Sequence, residues 1–532
     1  MPVLAGWLTG EQVPQEVIEQ TLAAMGEVLA HHGGTPAHSI YPGAGLIAFA
    51  DTAYAQQQSK EPPVLDWVPD RRTLVYRRPL SGIHPLFYIE NWPAEGNLIF
   101  ASEMKALFAV GAPRRLHMAA LDALWRYGSI PAPWTAFKDI QVVPAGSILR
   151  WQHTKTVVNP ASDFALEATA PSADTLEQLD ALLNQASHDQ LPPHEQVVAL
   201  LNGSRASSLA AVLSAKQKGQ KFASAALGAS KTLTTKGWKE VQAVADTLDL
   251  PLLAITAVDR PEFWQAAIVG LEAPCRDSRP LAIHQLLHTS AVEAGARIAI
   301  SGLGAQTLLG ATTGQIVADA ARDPLTSYRQ PYSHQLIHTE QLWSSDVKQM
   351  LHTVEAWEDT LHARKLQRRA QQYADRRHGL YYLDLHLRLP NELVYPFYQL
   401  ATQERMAIRS PYLNAQVMAS MIASSPLLNN DPMLKTTLDS LLLRYVSEAS
   451  RSPNEQPLTI PIASLARDMQ PGHELFDLTL APAAIQQRNI FNPELIKSLQ
   501  QRALKERAAS RALIFIFTTQ LFCQIFGIEE IA

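Results

Sequence analysis

Short apolar runs bounded by Pro, Gly and Asn dominate the first 150 residues. RTLVYRR (72–78), HPLFYIEN (84–91) and NLIFAS (97–102) read as strands, and PAGSILRW (144–151) as one more. Between them EMKALFAV (103–110) and HMAALDALWRYG (117–128) carry apolar residues at three- and four-residue spacing, which predicts helices. From about Thr154 to Asp189 the pattern weakens into Ser, Ala, Asp and Pro, a linker running into one helix. A regular alternation follows. QVVALLN (196–202), KFASAALG (221–228), PLLAITAV (251–258) and ARIAISG (296–302) are buried-type strands. SSLAAVLSAKQKG (207–219) and KEVQAVADTLD (239–249) are the helices between them. Short apolar strands alternating with helices predict a doubly wound parallel sheet. Beyond about residue 320 the chain turns helical. Residues 345–377 read as a solvated amphipathic helix pair and ALIFIFTTQLFCQIFGI (512–528) as a buried helix.

Ligands of such sheets sit at the carboxyl ends of the strands. Two turns lie there, LLNGSRASS (200–208) and ISGLGAQTLLG (300–310). A strand passing through Gly and Ser directly into a helix aims backbone N–H groups at one point, where they favour an anion.

Composition narrows the function. With 47% hydrophobic and 18% charged residues the chain is globular. A net charge of -5, without a basic aromatic-studded patch, argues against nucleic acid as a partner. Two cysteines, Cys275 and Cys523, leave no disulfide framework or cysteine zinc site and suit a reducing, cytoplasmic location. MPVLAGWLTGEQ lacks the features of a signal peptide, and the apolar 512–528 run is short for a membrane span and broken by Thr and Gln. No transmembrane segment is expected.

Five stretches in order carry a resemblance: GIHPLFY (82–88), LIFASEMKALFA (98–109), the tract from Pro113 to Trp151, SGLGAQTLLGA (301–311) and RSPYLNAQV (409–417). Together they resemble glutamine-dependent asparagine synthetase over nearly the whole chain. The resemblance implies an α/β fold. A shortened N-terminal-nucleophile-hydrolase-like sandwich (1–155) is followed by a linker and helix (156–190). A synthetase domain of the adenine-nucleotide α-hydrolase type (191–532) then carries a doubly wound parallel sheet and a helical C-terminal lobe.

The residues that carry the family's chemistry differ here. The family's glutaminase uses a cysteine at the mature N-terminus, with the α-amino group as base; this sequence begins Met1-Pro2-Val3. HHGGTP (31–36) is similar to the family's HRGPD. The glutamine-binding region expected after it is largely missing, and Pro79 and Leu80 stand where the family has Asp and Arg. The phosphate loop, SGGxDS in the family, reads Asn202-Gly203-Ser204-Arg205-Ala206-Ser207, so Ala206 replaces the Mg²⁺ carboxylate. The second loop, SGDGADE in the family, reads Ser301-Gly302-Leu303-Gly304-Ala305-Gln306-Thr307, without a carboxylate. In the C-terminal lobe Pro396, Tyr398, Gln399 and Ala407 take the places of a Lys-x-Asp-Arg cluster and a glutamate. Residues 451–456 lack a lysine that the family has.

These departures predict a pseudoenzyme with no catalytic residues, no metal and no cofactor. Such a chain would be a scaffold, assembly or regulatory subunit, as a homodimer or in a heteromer. The alternative is an ATP- and Mg²⁺-dependent amide ligase, of the asparagine, β-lactam or lasso-peptide type, with an unusual site. The candidate site is the degenerate loop itself: Asn202, Gly203, Ser204, Arg205, Ser207, Ser208, Ser301, Gly302 and Gly304. Free N–H groups at the helix start, with Arg205 beside them, fit a metal-free anion better than Mg-ATP. Structural roles compete at each position. Gly203 and Gly304 serve a tight turn, Ser207 and Ser208 cap the helix, and Arg205 is solvated or ion-paired. His31-His32, and His334 with His338, have no acidic residue at ligand spacing and read as surface or packing residues. Glu103 and Lys105 flank a helix, and Cys523 is a core residue.

Overall fold

The structure is a computed structural model that describes residues 3–10, 13–49, 65–167, 173–192, 195–216, 221–228, 236–256, 260–311, 323–333, 336–429, 437–446, 474–503, 505–528 and 530–532. Its N-terminal part is a sandwich of two antiparallel sheets. One runs β2 (Pro36–Tyr41), β3 (Ala44–Phe49), β1 (Val3–Leu8), β7 (Leu98–Ala101), β6 (Phe87–Glu90), β9 (Gln141–Val142). The other runs β11 (Lys155–Pro160), β10 (Ser147–Gln152), β5 (Thr73–Arg77), β4 (Leu65–Val68). Period-two alternation sends Leu4 and Leu8 of β1 between the sheets, beside Leu74, Tyr88 and Trp151. Ala5 and Trp7 face the opposite side, under the helix Gln15–Leu29, which buries Ile18, Leu22 and Met25 against them.

The second part is a five-stranded parallel sheet, β14 (Leu252–Thr256), β13 (Lys221–Gly228), β12 (Gln196–Leu200), β15 (Ile298–Ile300), β16 (Ala407–Arg409). The order turns at β12, so the sheet is doubly wound. Val198 and Ala299 face one layer of helices, and Val197 and Ile298 the other. This is the predicted α/β class: antiparallel sandwich, parallel sheet and helices beyond it. Residues 155–160 and 407–409 are among the places where the structure differs from the sequence reading. Residues 155–160, read as linker, form β11, because the apolar positions of this edge strand are few and its partner β10 supplies the pairing. Residues 407–409, not read as a strand, complete the sheet at β15's free side.

The C-terminal helix Arg507–Ile525 is long and apolar enough to cross a membrane by length and composition, yet most of it is buried inside the protein. Its Phe515 stacks on Trp125, with ring centroids 5.2 Å apart. The short strand β17 (Glu530–Ile531) then pairs with β8 (Arg115–Leu116).

Candidate functional site

The two loops singled out in the sequence leave adjacent strands, β12 and β15, and meet. A Cβ on Gly302 would lie 2.5 Å from the Ser207 nitrogen and 2.9 Å from the Ala206 Cβ. Only glycine lets the second loop rest directly on the first. Gly203 and Gly304 both adopt positive φ, 75° and 93°, in the left-handed region that glycine enters without strain. Gly304 is followed by the single turn Ala305–Leu308.

Hydrogen bonds inside the first loop occupy the groups expected to be free. Ser204 N–H donates to Asn202 Oδ1 (3.1 Å), Ser207 N–H to Ser204 Oγ (3.3 Å) and Ser208 N–H to the Ser204 carbonyl (3.0 Å). Ser207 Oγ–H donates to Asn202 Oδ1 at 2.7 Å. The cap of the helix Arg205–Ala215 is therefore Ser204, and Ser207 and Ser208 lie within its first turn. This corrects the expected capping residues: the helix starts two residues earlier, because Ser204 keeps extended backbone and turns its hydroxyl onto Ser207. An anion does sit at the loop, and it is internal. The carboxylate of Asp439, from the helix Thr437–Leu442, pairs with the Arg205 guanidinium. Arg205 is thus the ion-paired arginine of the structural reading.

The positions aligned with the family's carboxylates lie on these two loops. Ala206 is buried, Leu303 half-buried and Gln306 exposed. Residues 409–413 tie the two loops together. Ser301 N–H donates to the Arg409 carbonyl (2.9 Å), Ser410 Oγ–H to the Leu303 carbonyl (2.8 Å) and Tyr412 Oη–H to the Ala206 carbonyl (3.0 Å). A hard divalent cation needs several oxygen ligands, carboxylates first. Asp439's carboxylate faces Arg205, and the side chains of Ala206 and Leu303 carry no oxygen. Among the described residues of the two loops, no side chain offers a carboxylate to a nucleotide-bound Mg²⁺.

Tyr398 Oη and His84 Nδ1 stand 2.5 Å apart across the two domains. Gln399 is buried, and Ala407 lies in β16. Residues 451–456 and His334 fall outside the described residues.

Sequence reasoning missed two arrangements because their partners are far apart in the chain. The first is a polar junction between the domains. His31 Nε2 (3.3 Å) and His32 both reach Glu103 Oε1, and Lys105 Nζ reaches Glu103 Oε2 (2.8 Å). The acidic partner judged missing for His31-His32 is Glu103. The ammonium of Lys105 beside it opposes a bound cation, so the cluster is an ion-pair network. Glu272 lies next to it, fully buried, and accepts from the Met104 N–H (2.7 Å) and Lys105 N–H (2.6 Å). Burial pushes its carboxyl up to about 7, against the pull of Lys105.

The second is a cavity of about 180 Å³ between the sandwich and the synthetase-type helices, lined by Arg78, Met104, Glu272, Cys275, Arg276 and Tyr395 among others. At its wall Arg279 bridges Asp277 (2.9 Å) and Glu392 (2.7 Å). Burial alone would raise Asp277, but Arg279 holds its carboxyl below the usual range. Burial raises the Cys275 thiol strongly and the Cys523 thiol to about 12, so neither is a thiolate at neutral pH.

Family comparison agrees with this architecture. The model of a glutamine amidotransferase domain matches residues 65–161, and that of asparagine synthase matches residues 178–524. Comparison with curated proteins returns no match. With the second match spanning well over half of the chain and following the parallel sheet and its helices, the protein belongs to the asparagine synthase family.

Proposed function

We propose that this asparagine synthase family protein catalyses neither glutamine hydrolysis nor amide formation and serves as a binding or assembly subunit. One observation carries the reading. At the two facing loops the side chains of Ala206 and Leu303 offer no oxygen to a cation, and the carboxylate of Asp439 is paired with Arg205. Both cysteines are buried and lie outside residues 65–161, where the amidotransferase model matches, which supports loss of the glutaminase chemistry as well. On this reading the chain takes no ATP, Mg²⁺ or other cofactor. It acts in the cytoplasm and pairs with a second copy or with another protein. The alternative is an amide ligase whose metal ligands come from residues other than Ala206 and Leu303.

Calorimetry of the full chain separates the two. Under the proposal Mg-ATP binds no tighter than about 1 mM, about 4 kcal/mol of binding free energy, and incubation with glutamine releases no ammonia. Micromolar Mg-ATP binding, or ammonia release above that of buffer, would sink it.

A further inference from the structure

The helix Arg279–Glu293 places His284 and His288 four residues apart, on one face. That face meets the end of the helix Tyr395–Gln403, where Glu404 follows. His284 Nε2 lies 3.1 Å from Glu404 Oε1, and His288 Nδ1 lies 3.1 Å from Glu404 Oε2. The two imidazoles are nearly parallel, 18° apart, and the ring of Phe263 stands against both at 5.8 and 5.9 Å.

We propose that His284, His288 and Glu404 form a zinc site. Imidazole nitrogen and carboxylate oxygen are the donors Zn²⁺ accepts, and paired histidines one helical turn apart are a common way to present them. The spacing suits the ion. Ligands about 2.0–2.1 Å from a tetrahedral Zn²⁺ stand roughly 3.3 Å from each other, and here the three donor atoms all lie within 4.8 Å of one another, with the carboxylate 3.1 Å from each ring. Small rotations bring them onto one ion.

Charge separates this cluster from its look-alike at His31, His32 and Glu103. There the ammonium of Lys105 sits 2.8 Å from the carboxylate. Each ring, when ligating, carries its proton on the far nitrogen, Nδ1 of His284 and Nε2 of His288. His284 is buried and Glu404 nearly so, while His288 is 41% exposed on its side chain, which leaves the fourth ligand position open to water. The site would also stiffen the domain junction. Gln403 accepts from Lys105 Nζ (3.1 Å) and Arg405 donates to the His31 carbonyl. The turn that supplies Glu404 is therefore the one that touches the N-terminal sandwich.

The test uses the full chain, stripped with a chelator and titrated with Zn²⁺, and with Co²⁺ for its ligand-field spectrum. The expected result is one Zn²⁺ per chain with Kd below about 10 µM and a Co²⁺ spectrum of tetrahedral intensity. His288→Ala, at a half-exposed position, and Glu404→Gln should each weaken binding at least tenfold with unchanged circular dichroism. The double variant His31→Ala, His32→Ala should bind as the parent does. Weaker binding by the parent overturns the proposal, as does loss of binding in the His31/His32 variant. Binding indifferent to Glu404→Gln would mark adventitious binding by the two histidines alone and overturns it equally.

Discussion

Arg205 shows how much of a residue's role depends on a partner the sequence does not announce. Its position beside a phosphate-type turn invites an anion, and the anion that comes is Asp439, 234 residues away. Both side chains are largely buried, Arg205 more than Asp439, so the pair is held in a less screened setting than a surface ion pair. Removing the guanidinium leaves the carboxylate desolvated without its main counter-charge. Arg205→Ala should therefore lower unfolding stability by about 1–3 kcal/mol, below the range for a fully buried pair because Asp439 keeps some solvent. Urea denaturation of the variant against the parent measures it. A loss under about 0.5 kcal/mol, typical of an exposed arginine, would show that the pair contributes nothing. At this scale the sequence was legible where chemistry is a matter of residue type. The side chains of Ala206 and Leu303 offer no metal ligand in any fold. It was silent on pairs such as Arg205–Asp439, Glu103–His32 and Glu404–His284, which only the tertiary fold assembles.

Elements were read best where periodicity was strong and burial two-sided, as in β12, β13 and the helix Arg205–Ala215. They were read worst where a strand depends on its neighbour, as in the edge strand β11. The helix Pro261–Leu271 shows an element end shaped by a distant need. It closes at Glu272 in left-handed backbone, φ 52°, where glycine is the usual residue. The carboxylate gained there holds the first N–H groups of the helix Met104–Phe108 in the other domain. Its pKa, raised to about 7 by burial, sets a pH dependence. The folded state holds this proton up to about pH 7, whereas an unfolded chain releases it near ~4.3. Glu272's contribution to stability is then complete below the unfolded value and fades as pH rises through 7. Glu272→Gln cannot ionise and keeps an acceptor oxygen. Relative to the parent, its stability should improve by on the order of 2 kcal/mol between pH 5 and pH 8. Urea midpoints across that range would show it. A difference that is flat, or that falls with pH, contradicts a carboxyl protonated at neutrality.

The whole molecule is joined through its last helix. Phe515, Phe517, Phe522 and Phe526 enter one apolar cluster with Trp7, Trp125 and Phe137 of the sandwich and Trp264 of the synthetase-type part. Phe137 meets Phe522 at 5.2 Å, and Trp264 meets Phe517 edge-on at 5.5 Å. Thr518 Oγ1 donates to the Cys275 carbonyl (2.8 Å), and Ala532 exchanges hydrogen bonds with Leu116 and Met118. Burying four phenylalanines is worth about 6–12 kcal/mol at 1.5–3 kcal/mol each, comparable to the roughly 5–15 kcal/mol net stability of a whole domain. The sandwich keeps its own core between the sheets, and this helix joins the apolar cluster on the outer face of one of them. A chain ending at Lys505 should therefore lose the tertiary structure of the C-terminal lobe and loosen that outer face, and residues 1–161 alone should be less stable than the sandwich is in the whole chain. Phe515→Ala, a milder change costing about 3–5 kcal/mol, should lower the unfolding midpoints reported by hydrogen exchange in β1 and in β12 together. A 1–161 fragment as stable as the sandwich in the whole chain, by urea denaturation, would show instead that the shared cluster is a contact between two self-sufficient domains. Under the expected outcome, a scaffold role would be performed by the chain as one rigid body, with both family domains presented in a fixed relation.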